Sequence, residues 1–149
     1  MTSSPPPSQK EVLDELLLEF SNLKAYADAI RQQIELTTNI LAELVLSKSS
    51  LEEIKARGGN GEVLVHVGAG NHIRVQLNSV QSVIVGVGAG YSVEREISEA
   101  IAEMESRIKQ AQEQSVKLQD QYGKVSQRLV QVQEQVDSIY AKLEATGQA

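Results

Sequence analysis

The chain has no cysteine, no tryptophan and a single phenylalanine among its 149 residues. Without cysteine there is no disulfide framework, no thiolate metal site and no cysteine nucleophile, and the redox compartment is left open. So few aromatics make a sizeable globular core hard to fill, and burial has to come from long helix seams and from other chains. Proline occurs only at Pro5, Pro6 and Pro7, so residues 1–7 read as a disordered Pro-rich tail with a polyproline bias. No apolar run is long enough to span a bilayer, and the first residues lack a basic start and an apolar stretch. Neither membrane segment nor signal peptide is expected, and the cytoplasm is the default location. Lys and Arg number 14 against 20 Asp and Glu, for a net charge of −6. The two signs are interleaved, which excludes the basic patch that a nucleic-acid binder needs to neutralise phosphates.

What the sequence does have is two heptad seams. In the first, Leu13, Leu16, Phe20, Leu23, Ala27, Ile30, Ile34, Thr37, Leu41, Leu44, Lys48 and Leu51 alternate steps of three and four, the period of a coiled-coil helix. Ser8 and Glu11 have capping-box spacing at its start. Lys55 and Arg57 suit its negative dipole end, and Gly58-Gly59 terminate it, so the first helix is expected over residues 8–58. The second seam runs Ile97, Ile101, Met104, Ile108, Ala111, Ser115, Leu118, Tyr122, Val125, Leu129, Val132, Val136, Ile139 and Leu143. Ser92 reads as its cap with Glu94 and Glu96 in the first turn, which gives a second helix over 92–146. Gly123 is a weak point in it. In antiparallel pairing, partner numbers sum to about 152 subject to shifts of seven, which sets Leu13 by Ile139, Leu16 by Val136, Phe20 by Val132 and Thr37 by Ser115. The expected fold is α+β: a long antiparallel two-helix coiled coil, with both termini at one end and whatever lies between the helices at the other.

Between the seams stand Val63-Leu64-Val65-His66-Val67-Gly68-Ala69-Gly70 and Val83-Ile84-Val85-Gly86-Val87-Gly88-Ala89-Gly90. Each alternates like a strand, reaches Gly-Ala-Gly and continues into another alternating segment, so residues 61–91 read as two tandem β-hairpins. Isolated hairpins have open edges. The block is therefore an expected oligomerisation platform, with Val63, Val65, Val67, Ile73, Val75, Val83, Val85 and Val87 as candidate contact residues.

Three motifs suggest chemistry and are better explained otherwise. Gly86-Val87-Gly88-Ala89-Gly90 resembles a dinucleotide loop, but Tyr91 stands where the third glycine of G-x-G-x-x-G belongs and no second parallel strand follows. His66 and His72 flank the first turn and face each other across the hairpin; two histidines without cysteine or a carboxylate pair make a poor metal site. Glu52-Glu53 and Glu94/Glu96 lie at helix ends with no pocket to shift their pKa values. No enzyme activity, cofactor or metal is expected.

Doubled Gly-Ala-Gly hairpins between two heptad helices resemble the prefoldin family, and the segments Gly61–Gly70 and Val83–Glu94 resemble its archaeal-type alpha class, whose members carry two hairpins where beta subunits carry one. The resemblance implies a hexamer of two alpha and four beta subunits, with hairpins assembled into an intersubunit double β-barrel platform and a second alpha chain met at its centre. It also implies an ATP-independent holdase that captures unfolded polypeptides at the coiled-coil tips and passes them to a group II chaperonin, without nucleic acid or membrane as partner. Apolar residues at the free end are then the candidate client contacts: Val12, Leu17, Leu18 and Tyr140 off the seams, and Leu13, Phe20, Ile139 and Leu143 on them if the end frays. Val45 and Leu46, off the seam near the platform, are expected to pack on the hairpins or a neighbouring subunit. A structural coiled-coil adaptor that binds one fixed partner is the alternative.

Overall fold

A computed structural model describes residues 8–147; the Pro-rich tail expected over 1–7 lies outside the described residues. The elements run α1 (Gln9–Ala56), β1 (Gly61–Gly68), β2 (Asn71–Leu77), β3 (Ser82–Gly88), β4 (Tyr91–Glu96) and α2 (Ile97–Ala145). They form two compact units. One comprises the described residues of Met1–Thr37 and Gln114–Ala149, the other Thr38–Glu113.

In the first unit the start of α1 packs against the end of α2, as the antiparallel seam requires. Leu13, Val132 and Val136 are buried together, with Leu16, Phe20, Ile139 and Leu143 against them. Three of the pairs set opposite one another by the heptad arithmetic, Leu13 with Ile139, Leu16 with Val136 and Phe20 with Val132, fall within this cluster. A second cluster joins Ala27 and Ile30 to Leu118 and Val125, and Leu23 packs against both. At the start of α1 the capping box is formed: Glu11 N–H donates to Ser8 Oγ and Ser8 N–H to Glu11 Oε2, both at 3.2 Å, so two amides that the helix itself leaves unpaired are satisfied reciprocally. Helix α2 runs through Gly123 without interruption, and a Cβ added there would meet open space. Gly123→Ala should therefore stabilise the helix by about 1 kcal/mol, read as a higher urea midpoint by circular dichroism; a lower midpoint would contradict this.

In the second unit the hairpins form two separate two-stranded antiparallel sheets, β1 with β2 and β3 with β4. Val63 pairs with Val75 and Val65 with Ile73 in the first; Val85 pairs with Val93 in the second. Each hairpin turns on two residues of positive φ, Ala69-Gly70 (49° and 78°) and Ala89-Gly90 (50° and 79°), the backbone of a type I′ loop, whose twist matches that of the strands. Glycine supplies the second positive φ of each loop, and alanine takes the first, at about 1–2 kcal/mol. A register shift just before the loop leaves Gly68 and Gly88 both at φ 102°.

The second hairpin corrects the expected boundary. Ser92 is not a helix cap: it pairs with Gly86, Glu94 pairs with Ile84 and Glu96 with Ser82. Strand β4 extends to Glu96 because β3 offers it a partner along its whole length, so the hairpin block ends at 96, not 91, and α2 starts at Ile97 with Glu99 in its first turn. Ile97 N–H donates to Gln81 O at 3.0 Å, which takes the place of a side-chain cap.

The hairpin block is fastened at the other helix end too. Gly58 N–H bonds Lys55 O and Gly59 N–H bonds Ile54 O, each at 2.9 Å, a Schellman closure. Val80 N–H then donates to Gly59 O at 2.9 Å, and Ser79 N–H to Asn60 Oδ1 at 2.9 Å. The linker between the hairpins is thus tied to the end of α1.

Candidate functional site

Two surfaces are candidates, one in each unit. In the first unit, near the chain termini, the eight residues proposed for client contact divide by their depth in the seam. Leu17, Leu18 and Tyr140 are exposed, Leu18 at 63%. Val12 is half-buried, and Phe20, Ile139 and Leu143 lie partly buried against the seam cluster. Leu13 is buried at 7%; it belongs to the core because its heptad position points at α2, and it offers a client surface only if that end opens.

The exposed side chains rim shallow grooves. Leu17 and Tyr140 line one of about 750 Å³ whose floor includes Leu13 and Leu143. Val12, Leu16 and Ile139 line another of about 600 Å³, edged by Glu134 and Lys142. Leu18 shares a third with Tyr26. Tyr26 was missed in the sequence although the signal was there: it precedes seam residue Ala27 directly, as Val12 precedes Leu13.

Beside these grooves the helices are clamped by one bidentate ion pair. Arg128 Nε donates to Glu19 Oε1 at 2.7 Å and Nη2 to Oε2 at 3.0 Å. The guanidinium's hydrogen bonds hold the Glu19 carboxyl below its ordinary value of 4.5. A depressed carboxylate pKa adds stability that is complete above the unfolded value and is lost as pH falls through the folded one. Glu19→Gln should therefore lower the melting temperature slightly near neutral pH, and the gap from the parent should close on acidification below the ordinary carboxylate range. A gap independent of pH would refute the clamp.

On the hairpins the eight candidate contact residues also divide. Val65 (41% exposed) and Ile73 (51%) stand opposite each other on one face of the first hairpin, with Val63 and Val75 half-buried beside them. Val67 and Val87 are exposed. Val85, by contrast, is 6% exposed and packs with Ala100, Met104, Leu44, Leu51 and Val83. Val83 and Val85 are committed to the core of their own chain, because the helix seams next to the second hairpin cover that face. Leu64, Ile84 (80%) and Tyr91 are exposed on the hairpins and were not foreseen. Val45 and Leu46 are exposed too, so their own hairpins do not cover them.

His66 and His72 do face each other, with ring centroids 5.1 Å apart and planes at 76°. Among the described residues, no group of three or more His, Cys, Asp or Glu comes together to hold a metal, and no helix is long and apolar enough to cross a membrane.

The prefoldin subunit family matches residues 23–142. The chain belongs to the prefoldin family. Within it, the chain is 32% identical over 136 residues to prefoldin subunit alpha of Pyrococcus horikoshii, covering 91% of this chain and 92% of that one. It is 36% identical to prefoldin subunit alpha 1 of Thermococcus kodakarensis, over 66% and 67% of the two chains. A chain of filamentous PFD from Methanocaldococcus jannaschii, solved by cryo-electron microscopy, superposes with a TM-score of 0.63 at 24% identity, covering 76% of this chain and 93% of that one; at that identity the likeness speaks to the prefoldin fold alone. The family is one of chaperone subunits, and several of the relatives that this chain resembles are prefoldin alpha subunits.

Proposed function

We propose that this chain is the alpha-type subunit of an ATP-independent holdase. Two such chains would join four beta subunits through the hairpins, hold unfolded polypeptides at the ends of the helix pairs, and release them to a group II chaperonin in the cytoplasm. The observation that carries this reading is the set of apolar side chains left outside a satisfied seam: Leu17, Leu18, Tyr26 and Tyr140 rim open grooves while Leu13, Val132 and Val136 fill the core beneath. An unfolded chain presents short apolar segments without a fixed shape. Shallow apolar grooves bind such segments weakly and with little sequence preference, and several helix pairs in one assembly turn weak contacts into useful avidity.

The test is light scattering of several unrelated denatured clients, without nucleotide, with the chain assembled with a beta subunit. Suppression of every client near one complex per client chain is the expected result. Inactivity against all of them would overturn the holdase and favour an adaptor with one fixed partner. Transfer to the chaperonin is read separately, as recovery of native client on adding chaperonin and ATP.

A further inference from the structure

We propose that His66 and His72 form a two-histidine chelate for a zinc ion on the first hairpin, with water completing the coordination. The pair is set by backbone register: the residues stand directly opposite each other on β1 and β2. Its spacing fits. With Zn–N near 2.1 Å and about 1.1 Å from nitrogen to ring centre, a tetrahedral angle puts the two centroids about 5.2 Å apart and a right angle about 4.5 Å. The observed separation is 5.1 Å, a distance compatible with the tetrahedral bite that zinc prefers.

Both rings are anchored at Nδ1 to the turn that they flank. The Gly70 carbonyl lies 3.1 Å from His72 Nδ1; a carbonyl only accepts, so the imidazole donates from Nδ1 and its Nε2 lone pair is free. That is the arrangement by which metal-binding histidines are oriented and made more basic. Gly68 N–H donates to His66 Nδ1 over a longer 3.3 Å, which leaves the proton of the neutral ring on Nε2. Ligation through Nε2 moves that proton to Nδ1 and gives up the longer bond, which leaves the Gly68 amide at the end of β1 to water. The two neutral rings bind the ion without net release of a proton.

Charge on this face does not oppose the ion strongly. By strand alternation the neighbours of the pair are Leu64 and Arg74, then Glu62 and Gln76, and Arg74 is paired with Glu62 at 3.5 Å. The face is opposite to the one carrying Val63, Val65, Ile73 and Val75, so the site does not depend on what covers those residues. Imidazole nitrogen selects zinc and its late transition-metal neighbours over magnesium or calcium. Two histidines in a sequence suggested little; what the structure adds is their spacing and the Nδ1 anchor of His72.

The test is a calorimetric titration of the full chain, free of any affinity tag, with zinc chloride near neutral pH, paired with imidazole NMR. Saturable binding of one ion per chain is expected, with the resonances of both rings moving together and no response to magnesium. His66→Gln and His72→Gln should each weaken binding about tenfold or more, since a chelate loses one arm. Both side chains are exposed, so the variants should keep the circular dichroism of the parent, which the same samples check. Zinc affinity unchanged in either variant, or no saturation in the parent, would overturn the site.

Discussion

Val65→Asp combined with Ile73→Asp is expected to abolish assembly with beta subunits while leaving the helices of the single chain intact. The two side chains face the same way on the first hairpin and are about half exposed in the lone chain, so they contribute little to its own core. Buried at a subunit contact, each would contribute about 2 kcal/mol, together a factor of roughly a thousand in affinity. Aspartate adds the larger cost of an unpaired charge taken out of water. Native mass spectrometry should show only free subunits, with unchanged helicity. Val85→Ala should do the reverse: it removes two buried methyl groups and leaves a cavity beneath the second hairpin, costing about 2 kcal/mol of chain stability. Assembly by the doubly charged variant would show that the first hairpin is not the joining surface.

Gly59→Ala is expected to be the most damaging single-methyl change in the chain. Gly59 has φ 74°, and a Cβ there would land well inside contact distance of the Val80 backbone, which cannot yield as a flexible side chain would. The left-handed conformation costs a non-glycine residue about 1–2 kcal/mol, and losing the Val80 N–H to Gly59 O bond adds about 1 kcal/mol. The sum, about 2–3 kcal/mol, falls where the end of α1 holds the linker between the hairpins. Gly58→Ala is the control, since its φ is 66° but its nearest obstacle is the flexible Asn60 side chain; it should show only the conformational cost. Urea midpoints of the two variants decide the matter, and equal losses would mean that the contact with Val80 is unimportant.

The seams were legible because one periodicity serves both helix formation and pairing, so that Leu13 could be set by Ile139, Leu16 by Val136 and Phe20 by Val132 to within a shift of seven, and all six fall in one cluster. The hairpins were legible from alternating valine ending in Gly-Ala-Gly. The start of α2 was not, because Ser92-x-Glu94 satisfies a helix cap and a strand equally well, and pairing with Gly86 and Ile84 decides between them. Nor does alternation separate Val85 from Val65: both stand on the apolar side of a hairpin, and only the proximity of Ala100 and Met104 buries the first. At the other candidate surface, Leu17 and Leu18 are exposed, as positions off the seam imply. Leu13 was included on the expectation of fraying, and in the described structure it is core. Alanine in the positive-φ turn positions left no sequence signal, since such loops favour asparagine and glycine.

Leu17, Leu18 and Tyr140 are exposed and outside the buried clusters, so changing all three to Ser removes apolar surface with little effect on the fold. The central claim is that these side chains hold clients, and the direct measurement is client aggregation by light scattering with the assembled triple variant. Helicity and native mass should match the parent, while the concentration needed for half suppression should rise about tenfold, the equivalent of about 1.4 kcal/mol of lost client binding. Suppression equal to that of the parent would contradict the claim and place the client surface elsewhere.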